Sequence, residues 1–257
     1  PDATATDLSS PADVAVEPDG GLLIANARAG CVLRLGHGGA VERFAGRGGG
    51  GPSRSGAAPG DGDGAVDASL DGPEGLALWP SHGVLIAERG GCRVRLVRSD
   101  GVMETVAGTG VCGFGGDGGA ASDAQVNGPS GVAVRPGGGG FVIADSENGR
   151  VRAVGPDGLI ATIAVGLAAP QGLGYVGGSL WVADTDNDRL ALVGDEAALR
   201  GLAVSGAAGP FPLRQPTGLA AAPCGVTVVD SGRVLCIGLD GSGAVVLGGS
   251  TPVTSPE

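Results

Sequence analysis

The chain has 257 residues, 54 of them Gly and 17 Pro, with 42% hydrophobic and 17% charged residues. So much Gly excludes a mainly helical protein, since each Gly inside a helix costs about 1 kcal/mol relative to Ala, and the apolar fraction excludes a disordered chain. The formal charge is −11 and all 16 basic residues are Arg, which argues against nucleic acid and anionic lipid as partners; no run is long and apolar enough for a helical membrane span, so no membrane insertion is expected.

Residues 1–10, opening Pro1-Asp-Ala-Thr-Ala-Thr, read as an N-terminal linker. With no initiator Met and no signal-peptide pattern, the numbering is expected to start on a processed chain or an excised piece. From residue 11 the chain repeats itself. Five segments align on a proline: Pro11-Ala-Asp-Val-Ala-Val, Pro73-Glu-Gly-Leu-Ala-Leu, Pro129-Ser-Gly-Val-Ala-Val, Pro170-Gln-Gly-Leu-Gly-Tyr and Pro216-Thr-Gly-Leu-Ala-Ala. Each is followed by a second apolar run ending in a polar residue, as in Phe141-Val-Ile-Ala-Asp145 and Leu180-Trp-Val-Ala-Asp184. A third run follows, as in Arg93-Val-Arg-Leu-Val97 and Arg150-Val-Arg-Ala-Val154, and a fourth ends in Gly, as over 41–46, 102–108, 160–166, 199–206 and 245–248.

Four short β-branched-rich runs between Gly, Pro, Asp and Asn turns predict a four-stranded antiparallel meander. A repeat of about 40 residues is the size of one propeller blade. The expectation is an all-β protein, a β-propeller over 11–249 with five visible four-stranded blades starting near 11, 73, 129, 170 and 216, followed by a Thr/Pro-rich tail at 250–257. Related inserts at 47–72 and 109–128 lengthen the first two connections.

The Pro-x-Gly-Val-Ala-Val run, the stretch Ile-Ala-Asp-Ser-Glu-Asn-Gly-Arg-Val-Arg at 143–152 and the Ala-Gly-Thr-Gly…Gly-Asp-Gly-Gly loop at 107–119 resemble the NHL-repeat family. The likeness covers roughly 11–249 and is best in the blade from Pro129. Blades one and five depart from it: Asn26 stands where the pattern has Asp, Asp13 where it has Gly, and the turn at Asp230-Ser-Gly-Arg233 is short. The family usually has six blades. Either five close the ring here, or part of it lies outside this chain.

Alternating strand direction places the second turn of each blade on the same face as the connection to the next blade, so both inserts are expected to project there. Ala12, Glu74, Ser130, Gln171 and Thr217, with Asp13, should ring the mouth of the central channel. That ring either holds a small ligand or cation or simply lines a wet channel. Asp145, Asn148 and Arg150, and likewise Asp184, Asn187 and Arg189, look catalytic in isolation. Their repetition reads instead as a structural brace, in which the carboxylate accepts the turn's N–H groups and pairs with the Arg two places beyond Asn. Glu88 with Arg93, and Asp230 with Arg233, look like variants of it.

Asp61-Gly-Asp63-Gly is too short for a calcium loop. The lone His37 and His82 lie in turns of different blades and cannot make a zinc site, and no nucleophile elbow occurs. No metal and no cofactor are expected. Cys31, Cys92, Cys112, Cys224 and Cys236 are odd in number, so at least one is unpaired within the chain. Cys92 and Cys112 could meet on the insert face, while Cys224 and Cys236 share blade five. The cysteines, the linker-like ends and the absence of Lys favour an extracellular or cell-surface location. The reading that follows is a non-catalytic protein-interaction module presenting two long Gly/Asp-rich loops to a protein partner, with a lactonase- or lyase-type propeller hydrolase acting on a small molecule at the channel mouth as the alternative.

Overall fold

Each proline-headed unit folds into one antiparallel sheet in the computed structural model, which describes residues 8–49, 60–194, 199–202, 205–206, 209–210, 212–223, 225–239 and 244–247. The protein is an all-β propeller with five blades. Blade one is β1 (Pro11–Val16), β2 (Leu22–Asn26), β3 (Cys31–Leu35) and β4 (Val41–Ala45). Blade two is β5 (Pro73–Trp79), β6 (Gly83–Glu88), β7 (Arg93–Arg98) and β8 (Met103–Ala107). Blade three is β9 (Pro129–Val134), β10 (Phe141–Asp145), β11 (Arg150–Val154) and β12 (Ile160–Val165). Blade four is β13 (Pro170–Val176), β14 (Ser179–Asp184), β15 (Arg189–Val193) and β16 (Leu199–Leu202). A short hairpin of β17 (Ser205–Gly206) and β18 (Gly209–Pro210) then takes the end of the expected 199–206 run. Blade five is β19 (Pro216–Ala222), β20 (Gly225–Asp230), β21 (Arg233–Ile237) and β22 (Ala244–Leu247). Strands pair in sequence order within every blade.

Two compact units divide the chain, 1–166 with blades one to three and 167–257 with blades four and five. Packing inside them obeys one rule. The forward face of a blade, Ala15, Leu23, Ala25 and Val32 in blade one, covers the rear face of the next, Leu76, Leu78, Val84, Ile86 and Val97 in blade two. Blade two's forward residues Leu85, Ala87, Val94 and Leu96 cover Val132, Phe141, Ile143 and Val154 of blade three in the same way. In the second unit Trp181, Ala183 and Leu190 of blade four meet Val226, Val228, Leu235 and Ile237 of blade five. A sheet buried on both faces needs apolar residues on both, which explains continuous apolar runs in place of alternation.

The described residues of the inserts, 60–72 of the first and 109–128 of the second, do not project as free loops. The first hydrogen-bonds down the outer edge of blade two, with Gly62 N to Met103 O, Met103 N to Asp63 O and Ala65 N to Gly101 O. In the second, Gly118 N bonds to Ile160 O, Ile160 N to Gly119 O and Ala121 N to Gly158 O along blade three. Ala65, Ala68 and Leu70, and Ala121, Ala124 and Val126, are buried in the cores between the blades. These short apolar side chains fill the wedge that opens as adjacent twisted sheets diverge, and the backbone caps edges that would otherwise be open. Residues 50–59, the tail 250–257 and Cys224 lie outside the described residues.

Candidate functional site

The innermost strands set the geometry. A Cβ on Gly75 would lie 2.5 Å from Ser130 O, so Gly75 lets β5 and β9 approach closely. Gly172 plays the same part against Thr217 O between β13 and β19. Blade one has Asp13 at this position. Its carboxylate reaches across to β5, Oδ2 accepting the Leu76 N–H at 2.8 Å and Oδ1 the Val14 N–H at 2.8 Å. Burial raises the Asp13 pKa against the lowering effect of those two N–H groups.

One residue before Gly75, Glu74 is half-buried. Its Oε2 lies 3.4 Å from Arg89 Nη1, and Arg89 Nη2 donates to Glu147 Oε1 at 2.6 Å. Burial is the largest influence on Glu74 and raises its pKa; Arg89 counters it, and Glu147 adds to the rise. Ser130 is buried rather than lining open solvent, and its Oγ shares a 2.6 Å hydrogen bond with Ser146 Oγ. The structure thus brings Asp13, Glu74 and Ser130 onto the adjacent strands β1, β5 and β9, and Ala12 is exposed beside them. Gln171 and Thr217, both half-buried, stand on the adjacent β13 and β19 of the other unit.

The strand-end carboxylates are buried, Asp145, Asp184 and Asp230 at 0% exposure and Glu88 at 2%. Their partners differ from the expectation. The bonded N–H belongs to the segment entering the blade, two residues before its proline, rather than to the turn. Asn127 N donates to Asp145 Oδ1 at 2.7 Å, Ala168 N to Asp184 Oδ1 at 2.7 Å and Asp71 N to Glu88 Oε1 at 2.9 Å. Arg214 N donates to Asp230 Oδ1, and Ser9 N to Asn26 Oδ1, so Asn26 serves in blade one without charge. Positive φ at Ser10, Gly72, Gly128, Ala169 and Gln215 turns the entering chain so that these N–H groups face the carboxylates. Asn148 Nδ2 bonds both oxygens of Asp145 at 2.9 Å, and Asn187 Nδ2 bonds Asp184 Oδ2 at 2.9 Å.

Arg189 Nε donates to Asp184 Oδ2 at 2.6 Å, but Arg150 does not reach Asp145. Arg150 Nε bonds to Asn148 O at 3.1 Å, and its guanidinium stacks 3.6 Å from the Phe114 ring centre. The cation near Asp145 is Arg152, with Nη1 at 3.6 Å from Oδ2. Arg152 also pairs with Asp117 of the second insert at 2.6 Å. Arg95 repeats this in blade two, at 3.4 Å from Glu88 and 2.6 Å from Asp61 of the first insert, while Arg93 stands 4.0 Å from Glu88. Both central arginines are wholly buried. Asp61 is therefore an ion-pair partner, and among the described residues no three His, Cys, Asp or Glu side chains gather as a metal-binding group.

His37 and His82 sit in turns at the blade ends opposite the prolines, His82 stacked on Trp79. A disulfide joins Cys92 in the second turn of blade two to Cys112 of the second insert; Cys236 is disulfide-bonded too, and Cys31 is free and buried.

No family model and no curated protein matches the sequence. Solved structures do match the fold. A virginiamycin B lyase from Staphylococcus aureus aligns at 12% identity over 96% of this chain and 73% of that one, with a TM-score of 0.65. A gluconolactonase from Xanthomonas campestris aligns at 17% identity over 93% and 77%, with a TM-score of 0.63. A chain of a nidogen/laminin complex aligns at 15% identity over 90% and 77%, with a TM-score of 0.64. At these identities the likeness establishes the propeller fold alone.

The reading as a non-catalytic interaction module is corrected here. Two of these three neighbours are enzymes, a lyase and a lactonase, and they back the alternative better than the scaffold. The physical reason is that a propeller site is assembled from single residues on separate blades. The missing nucleophile elbow and the isolated histidines therefore say little about catalysis, and the described parts of the inserts that suggested docking loops pack along the blades.

Proposed function

We propose that the protein is a lactonase- or lyase-type propeller acting on a small cyclic ester, with its site at the proline ends of β1, β5 and β9. The observation that carries this is Asp13. Where the repeat has Gly, blade one spends a half-buried carboxylate on the innermost strand, and that carboxylate bonds to β5, the strand that also carries Glu74 with its partner Arg89. Glu74, its pKa raised chiefly by burial, is a stronger base than an exposed carboxylate. In lactone opening the proton comes from water, whose oxygen forms the new bond to the carbonyl carbon as the ring C–O bond breaks. In elimination it comes from carbon, the electron pair forms a C=C bond and the carboxylate leaves. Arg89 offers positive charge to the oxyanion in either case, and Asp13 positions β5.

The NHL-type blade signature is the finer reading of the family, and the Cys92–Cys112 disulfide supports an extracellular or cell-surface location.

The test incubates the chain with gluconolactone and with virginiamycin B, the classes named for the two enzyme neighbours. Mass spectrometry separates the reactions, because hydrolysis adds the mass of water and elimination leaves the mass unchanged. Glu74→Gln is expected to lower kcat at least about 100-fold, the usual contribution of a general base. No turnover of either compound, or unchanged turnover in Glu74→Gln, refutes the assignment.

A further inference from the structure

The residue that follows the strand-end acceptor opens the second turn of each blade. In blade order it is Ala27, Arg89, Ser146, Thr185 and Ser231. The three hydroxyls bond to nearby backbone or to a neighbouring hydroxyl. Ser146 Oγ shares a hydrogen bond with Ser130 Oγ, Thr185 Oγ1 donates to Pro216 O at 2.8 Å and Ser231 Oγ donates to Arg214 O at 2.6 Å. A small residue therefore suffices to make this turn, and blade two alone places an arginine there. The backbone of Arg89 already holds its own turn, Arg89 N donating to Gly72 O at 2.9 Å. Its long side chain answers to some other demand.

That side chain is held more closely by blade three than by its own blade. Nη2 donates to Glu147 Oε1 at 2.6 Å, whereas Nη1 stands 3.4 Å from Glu74 Oε2. Glu147 is itself firmly seated. It lies in the single turn Ser146–Asn148, which Asn148 ties to the buried Asp145, and its N–H donates to Asn127 O at 3.1 Å. A Cβ on Gly128 would run into Glu147 Cγ, so glycine there leaves the side chain its path to Arg89.

On the reading above, in which Glu74 takes the proton, we propose that Glu147 is a positioning residue: by holding Arg89 at blade three it keeps the guanidinium from closing on Glu74. The elements packed against β5 carry two further acids at this end, Asp13 of β1 and Glu88 of β6. Asp13 accepts from the Leu76 and Val14 N–H groups, and Glu88 from Asp71 N and the buried Arg95. Glu74 is raised first by burial; of the charges that bear on it, Arg89 lowers it and Glu147 raises it. Without Glu147, the Arg89–Glu74 approach would need to shorten by only about 0.6 Å to become a direct charge-assisted bond. Glu74 would then be a weaker base, and Arg89 less available to an oxyanion.

The experiment is a carboxyl-carbon NMR titration of the intact chain without substrate, with the Glu74 signal identified by its loss in Glu74→Gln. In Glu147→Gln the Glu74 midpoint is expected to fall by about one pH unit, the scale of one opposite charge brought to contact. Glu147→Asp, with the charge on a shorter stem, is expected to lie between. Glu147 is exposed and Arg89 half-buried, so the variants should fold. In an Arg89→Met background, Glu147→Gln is expected to move Glu74 less than half as far, because the effect runs through Arg89. An unchanged midpoint in Glu147→Gln overturns the proposal. So does an equal fall in the Arg89→Met background, which would mean direct repulsion between the two glutamates. The acidic limb of kcat/KM should move with the midpoint. A parent that turns over neither compound refutes the lactonase or lyase reading, while the titration still decides where Glu147 holds Arg89.

Discussion

Asp145→Ala tests whether the strand-end carboxylates hold the blades together. The carboxylate is fully buried and accepts from Asn127 N, takes both contacts from Asn148 and faces Arg152 at 3.6 Å. Its removal leaves a buried guanidinium with Asp117 and two carbonyls, Gln125 O and Gly115 O, as partners. Breaking a buried ion pair from one side costs about 3–5 kcal/mol. For a chain of this length each kcal/mol moves Tm by about 2–4 °C, so the drop should be about 6–20 °C by calorimetry. Asp145→Asn keeps an acceptor for Asn127 N–H but loses the charge and turns an NH2 toward the Asn148 and Arg152 donors, and should fall about 1.5–3 kcal/mol. The exposed Asp186→Ala, whose side chain carries no comparable network, should stay within about 0.5 kcal/mol. If Asp145→Ala costs no more than Asp186→Ala while turnover disappears, Asp145 is a functional residue and the structural argument fails.

Gly75→Ala should destabilise by about 1–3 kcal/mol, because its Cβ would meet Ser130 O at 2.5 Å and Gly131 Cα at 2.9 Å, whereas Gly174→Ala, with nothing within 4 Å, should be neutral or slightly stabilising in urea unfolding. Equal costs at the two sites would dismiss close strand approach as the reason for Gly75. Stability should also fall as pH rises from mildly acidic to neutral. Asp13, Glu74, Glu88 and Asp145 are all raised above their ordinary 3.8 and 4.5, chiefly by burial. Their contribution is full below the unfolded values and is lost as pH climbs through the folded ones. Asp117 acts oppositely: burial raises it, but Thr162 and Arg152 outweigh that, so its contribution is lost as pH falls through its lowered value. Urea midpoints that rise steadily between about pH 5 and about pH 7 would contradict the buried-carboxylate account.

The blades were legible because each begins at a proline and breaks into four apolar runs, a pattern that survives the divergence of blades one and five. The clasp was half legible. A polar residue closes every second strand, which the sequence displays, but the N–H it accepts lies 16–18 residues upstream. Only pairing in space reveals that. Arg152 and Arg95 have a signal in the sequence: Arg150-Val-Arg152 and Arg93-Val-Arg95 occur only in the two blades preceded by inserts, and both inserts bring an Asp, Asp117 and Asp61, to the second Arg. The inserts themselves misled because Gly-rich length reads as a free loop, whereas their Ala and Leu positions carry the packing.

Repetition itself separates scaffold from chemistry in this chain. A feature that every blade must have in order to be a blade recurs: the strand-end acceptor appears five times, with Asn26 or Glu88 substituting where Asp is absent. A feature that one blade alone carries answers to no such demand. Asp13 is of this kind, since the other blades build the same strand with Gly, and its two backbone bonds compensate for a burial that still raises its pKa. Glu74 is of the same kind among Ala12, Ser130, Gln171 and Thr217. The two carboxylates fall on neighbouring innermost strands, at the proline ends, where Asp13 reaches the Leu76 N–H of blade two and Arg89 reaches Glu147 of blade three, a convergence of side chains from successive blades. That convergence, more than any local motif, is how a propeller makes a site, and it is why single substitutions at Asp13 and Glu74 should change turnover while substitutions at the clasp change stability.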